Sequence, residues 1–192
     1  MRLLRGLLLI SLLAGCAGDY ETFQPPPLDL SDQPPLRFAV DAITVESAYR
    51  PAGAPPFVDH TLALTPEAAV RAYLEQKLQA VGGPGRLHAV IVDASVREVA
   101  LETQSGVRGL LTREPDARFE GRLRVRVERF DGAGNPLGAV GTAASRSRSL
   151  PEDVGYAERQ RIGYDLVEAL VNDLATGLAA NLRETFSDIL RP

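Results

Sequence analysis

The sequence predicts an α+β fold: a four-stranded mixed sheet, built in the order β-α-β-β-β-α, with two helices packed on one face. Three patterns carry that expectation. Phe119, Gly121, Leu123, Val125 and Val127 alternate with Glu120, Arg122, Arg124, Arg126 and Glu128, the period-two signature of a half-buried strand. Thr65-Pro66-Glu67 opens a stretch whose apolar residues recur at helical spacing. A second apolar row, from Ile162 to Leu190, returns every fourth residue.

Leu36 to Glu46 is the first strand. Leu36, Phe38 and Val40 share one face, whereas Ile43 and Val45 have the other parity, which predicts a bulge or twist near Asp41-Ala42. A proline- and glycine-containing loop follows from Ser47 to Leu64. The first helix takes Thr65 as N-cap, Pro66 as its first residue and Glu67 near the positive end of its dipole. Val70, Tyr73, Leu74, Leu78 and Val81 form its buried stripe, and Gly82-Gly83 ends it. Leu87 to about Leu101 is the second strand, apolar on both faces in its first half apart from His88, as a central strand should be. Residues 103–118 connect it to the alternating third strand. Asp131 to Pro136 is turn chemistry, and Leu137 to about Ser147 is the fourth strand.

Pro151-Glu152-Asp153 begins the second helix, which reaches about Leu190. A spacing of four drifts by about 40° per step against a 3.6-residue turn. The leucine row therefore winds round the helix. Its first half faces the sheet, and Leu182 to Leu190 is expected to point elsewhere, through a kink near Gly177 or a contact with something other than the sheet. The β-α-β crossover makes the first two strands parallel, and the hairpins make the rest antiparallel. One sheet face is then left open, with Arg122, Arg124 and Arg126 on it. The loops 47–64 and 103–118 gather at one end, where Phe57, Leu110 and Leu111 are apolar features for a partner or fold back as cover.

The front of the chain carries an address. Arg2 and Arg5 form a positive region, Gly6 to Ala14 an apolar one, and Leu13-Ala14-Gly15-Cys16 closes it with small residues before the only cysteine. The run is far shorter than the about 20 apolar residues of a spanning helix. It resembles the lipobox of bacterial lipoproteins. That resemblance implies cleavage before Cys16, acylation of Cys16 and an effectively permanent membrane anchor. Ala17, where an Asp would favour inner-membrane retention in the enteric pattern, points to the inner leaflet of the outer membrane with the body in the periplasm. The expected division is a signal peptide at 1–15, a lipidated cysteine and proline-rich tether at 16–35, and a single domain at 36–192.

The chain is mildly acidic, with a net charge of −4, and more so once Arg2 and Arg5 leave. No nucleic-acid partner is expected. Lipidation would consume the one cysteine, so no internal disulfide is expected. Lys77 is the only lysine; a guanine- and cytosine-rich genome explains an arginine-dominated basic set better than anion recognition does.

Catalytic and metal chemistry find little support. His60 lies in the proline-rich loop beside Asp59, and His88 reads as a satisfied strand histidine. No His-x-x-x-His spacing exists, and no cofactor or metal is expected. Ser145 and Ser147 lack a nucleophile elbow, and Gly82-Gly83-Pro84-Gly85 lacks the Lys-Ser/Thr of a phosphate loop. Asp131 to Asn135 lacks the spaced acids of a calcium loop. No enzyme is expected. The basic strand face remains. Between Arg113 and Arg148 there are eight arginines against five acids, a local surplus that suits an anionic envelope polymer such as lipopolysaccharide. Cross-strand pairing with Glu98 and Glu102 is the plainer expectation.

In layout, residues 36–190 resemble small envelope lipoproteins: the YajG-like group, the lipoprotein partner of the lipopolysaccharide-assembly translocon and, more distantly, lipoprotein activators of cell-wall synthases. No residue motif carries this resemblance, so it transfers no site residue. It implies a non-catalytic accessory or scaffold role through a protein partner in the envelope.

Overall fold

The computed structural model describes residues 22–101 and 117–192. Its elements run β1 (Leu36–Phe38), β2 (Ala42–Ser47), α1 (Pro66–Lys77), β3 (Leu78–Ala80), β4 (Arg86–Ala100), β5 (Ala117–Phe130), β6 (Pro136–Leu150), α2 (Tyr156–Thr185) and β7 (Leu190–Arg191). The main sheet has the order β2-β4-β5-β6, parallel between β2 and β4 and antiparallel beyond. Helix α1 packs on β4, α2 packs on β5 and β6, and the two helices touch each other. Both therefore lie on one face, as expected.

The first expected strand is two strands in two sheets. β1 joins a small sheet of order β3-β1-β7, and β2 joins the main one. Its partner breaks at the same level. Val81 N–H donates to Phe38 O, Gly82 N–H to Val40 O and Asp41 N–H to Gly85 O, so pairing continues through the bend. The parity change between Val40 and Ile43 marks this step from sheet to sheet.

Helix α1 starts as expected, with the Thr65 side chain accepting from Ala68 N–H. It ends at Lys77, earlier than Gly82-Gly83. Leu78, Gln79 and Ala80 are competent helix formers, but they pair in parallel with Leu36, Arg37 and Phe38. The glycines shape the bend after that strand. Gly85 has φ +85°, and a Cβ there would fall on the Phe130 carbonyl oxygen.

One core spans the sheet, both helices and the small sheet. Leu166, Leu170, Leu174, Leu178 and Leu182 are all fully buried, and Phe186 and Ile189 join the same cluster. The end of the leucine row thus stays in the core, and α2 runs unbroken past Gly177. The row winds as expected, but β5, β6 and α1 line a wide arc of the helix and keep it covered. The Tyr73 hydroxyl donates to Ala175 O at 3.4 Å, and burial pushes its pKa up to about 12.

The proline-rich segment is docked from residue 23 onward. Phe23 meets Tyr164 with ring centres 6.0 Å apart, the Tyr164 hydroxyl reaches Pro27 O, and Leu30 is buried in the core. Gln160 clips the loop before α1 to α2. Its Oε1 accepts from Ala63 N–H at 2.6 Å and its Nε2 donates to Thr61 O at 3.0 Å. Gln160 is itself buried, so Gln160→Leu should cost about 1–3 kcal/mol by leaving two backbone groups unsatisfied. A urea midpoint equal to that of the native chain would contradict this.

Paired acids set the acid limb of stability. The Arg146 guanidinium donates two hydrogen bonds to Asp173 and holds its carboxyl below the usual range; Arg129 does the same for Asp188. A depressed folded pKa gives stability that is complete above the unfolded value, about 3.9, and is lost as pH falls through the folded one. Asp173→Asn should therefore lower the melting temperature at pH 7 and flatten its fall below about pH 4 by the same amount, both effects being small because the pair is solvent-exposed. An unaltered acid limb would refute the assignment.

Candidate functional site

The site is the sheet face away from the helices. On β5, Gly121, Leu123, Val125 and Val127 are buried, which turns Arg122, Arg124 and Arg126 outward; all three are exposed. Their neighbours on β4 are Ser95, Asp93 and Val90, and on β6 Ser145, Ala143 and Gly141. Short side chains thus flank most of the arginine row.

The cross-strand partner expected for these arginines lies on the other face. Glu98 pairs with Arg159 of α2, whose guanidinium lies 4.9 Å from the centre of the Phe119 ring. A register shift between Ile91 and Asp93 is the cause. Leu87, Ala89 and Ile91 face inward before it, and Ala94 and Val96 after it, so parity flips and Glu98 turns toward the helices. On the open face Arg126 Nε contacts Glu128 Oε1 at 3.0 Å, and Arg118 contacts Glu120 at 2.6 Å. Among the described residues Arg122 and Arg124 make no ion pair.

Arg122 opens onto a shallow groove of about 330 Å³, lined also by Tyr49, Arg50, Ala52, Phe57, Asp93, Ser95 and Arg97. The loop after β2 builds its wall by lying back along β4. Val58 N–H donates to Val96 O, Glu98 N–H donates to Pro56 O, and Phe57 bridges Arg97. The Arg97 guanidinium lies 5.8 Å from the Phe57 ring centre, so half-buried Phe57 serves as cover here. Arg50 donates to Ser47 O and Tyr49 O. The hydroxyl of groove-lining Tyr49, like Ser47 Oγ and Asp59 Oδ1, is buried without a hydrogen-bond partner. Burial, with the Asp59 carboxylate beside it, raises the Tyr49 pKa and keeps its hydroxyl protonated.

Toward the other end of the face, His88 stands between two carboxylates from neighbouring strands. Its Nε2 is 3.0 Å from Glu46 Oε2 and its Nδ1 is 3.8 Å from Glu128 Oε2. His60 is exposed beside buried Asp59. Among the described residues no group of three or more His, Cys, Asp or Glu could hold a metal ion, and no helix is long and apolar enough to cross a membrane. Asp131 to Asn135 is a turn in which Asn135 Nδ2 donates to Asp131 Oδ2 and the N–H groups of Asn135 and Ala133 donate to Asp131 Oδ1, together lowering its pKa.

Sequence reasoning placed Arg122, Arg124 and Arg126 together. It missed Tyr49, Arg50, Ser95 and Arg97, because only the register and the folded-back loop bring them beside Arg122. Cys16, Leu110 and Leu111 lie outside the described residues.

No family model and no curated protein sequence matches the chain. Among solved structures, it is similar to a minor lipoprotein from Acinetobacter baumannii at 16% identity, covering 79% of this chain and 96% of that one with a TM-score of 0.41. It is similar to the rare lipoprotein B of Shewanella oneidensis at 12% identity, covering 77% and 98% with a TM-score of 0.43. A Xanthomonas campestris protein of family DUF330 is similar at 10% identity, covering 87% and 95% with a TM-score of 0.37. At these identities and scores the likeness decides nothing about this chain.

Proposed function

We propose that the chain is a lipid-anchored lipoprotein of the bacterial envelope, held through Cys16 at the inner leaflet of the outer membrane. It serves there as a non-catalytic accessory subunit of an envelope assembly or transport complex. The observation that carries this reading is the open sheet face: both helices cover one side, and among the described residues no helix covers the other, where Arg122, Arg124 and Arg126 are exposed. The leader ending in Leu13-Ala14-Gly15-Cys16 supports the address.

Fractionation of the tagged full-length chain on a density gradient tests it. The native chain should travel with outer-membrane markers, and Cys16→Ala should leave them. Crosslinking in cells should then give protein adducts on the open face. An unchanged distribution for Cys16→Ala would sink the anchor.

A second reading has its own support. Arg122 and Arg124 lack ion-pair partners among the described residues, and an anionic envelope polymer such as lipopolysaccharide would supply them. Arg122→Glu with Arg124→Glu should abolish binding of purified lipopolysaccharide at low salt. Retained binding would dismiss the arginine row as the site, and a native chain that binds none would dismiss the polymer and leave the protein partner.

A further inference from the structure

The two edges of the main sheet are treated differently. On one side β2 is short, and the segment around Phe57 continues along β4 where β2 stops. On the other side β6 runs for 15 residues, and among the described residues no strand pairs with its outer edge. Edge strands are commonly blunted by charges, interior prolines or bulges. From Pro136 to Ser145 the strand has no charge, its one proline is its first residue, and its register with β5 shifts only at Arg129/Phe130. Among the described side chains, Asn181 alone reaches that stretch with a hydrogen bond to its backbone, donating to Gly141 O at 3.4 Å.

We propose that this edge pairs antiparallel with β6 of a second copy of the chain, joining two four-stranded sheets into one. Charge placement selects the partner. Full overlap sets Pro136 opposite Leu150 and Ala143 opposite its own equivalent on the two-fold axis. Opposed residues then share parity, so all four helices lie on one side and both open faces are continuous.

In this register Arg146 and Arg148 of one copy lie opposite Val140 and Gly138 of the other. Glu184 lies at that level. Helix α2 tracks β6 closely: Asp173 binds Arg146, Asn181 binds Thr142 Oγ1 at 3.0 Å, and Phe186 approaches Gly138. Gly177 lets the helix close on Thr142, and Glu184, seven residues on, shares its flank. Arg148 and Glu184 have no ion-pair partner among the described residues. The two-fold brings these unlike charges together, whereas a parallel pair would set the arginines side by side.

The test uses the full-length chain in native membranes and in detergent. Ala143→Cys should form a covalent dimer under mild oxidation, well above the background of the native chain and of Gly132→Cys in the exposed turn. Sedimentation of the native chain should show a monomer–dimer equilibrium. Arg148→Glu or Glu184→Arg should weaken it about tenfold, and the double exchange should restore it. Ala143→Lys, at an exposed position, should give a folded monomer by circular dichroism. A native chain that stays monomeric at every concentration, crosslinking no greater than at Gly132→Cys, or a double exchange without rescue would each overturn the proposal.

Discussion

Gly85→Ala is expected to remove at least about 3 kcal/mol of stability, enough to populate unfolded chains under mild conditions. Two causes add. Gly85 has φ +85°, where an L side chain is strained, and its Cβ would meet the carbonyl oxygen of Phe130. That oxygen belongs to the backbone at the end of β5, so no rotamer change relieves the contact. Gly82 separates the two causes. Its φ is +87°, but nothing lies within 4 Å of a Cβ there. Gly82→Ala should therefore cost only the backbone share, about 1 kcal/mol. Equal losses in urea titrations of the two variants would show that the close approach at Gly85 contributes nothing.

Phe38→Ala should be comparably severe, at about 3–5 kcal/mol. Phe38 is fully buried in β1, opposite Ala80 on one side and Leu190 on the other. Its ring ties the small sheet to the common core, and truncation leaves a cavity that backbone pairing on both flanks prevents from collapsing. The matched control is Leu137→Ala, because Leu137 is 55% exposed at the start of β6. That change should stay within about 0.5 kcal/mol. A Phe38→Ala chain with a near-native denaturation midpoint would show that the small sheet is not part of the cooperative unit.

What the sequence makes legible is what depends on one strand or helix facing one core. Phe119 to Val127 alternates without a break, and β5 follows it residue by residue. Thr65-Pro66 places the start of α1. Legibility fails where pairing between distant segments overrules local preference. Leu78-Gln79-Ala80 would extend a helix in isolation, yet β1 captures it as a strand. Leu190 reads as the last turn of a helix, yet it pairs with Phe38. Within the site, a single irregularity at Val92 decides which acids face the arginines. Uniform alternation from Leu87 would place Glu98 among them; the shift hands it to Arg159. The groove beside Arg122 was hidden for the same reason, since its wall comes from a loop whose path is set by β4.

The docking of Phe23 and Leu30 against the body has a mechanical result. For a body anchored at Cys16, only the stretch from Cys16 to Phe23 separates the lipid from the first docked side chain, instead of one reaching Pro35. Fully extended, that stretch reaches roughly 25 Å at most. The domain would then work close to the bilayer surface, with its tilt restrained, and would meet components that come to the membrane instead of fishing for them across the compartment.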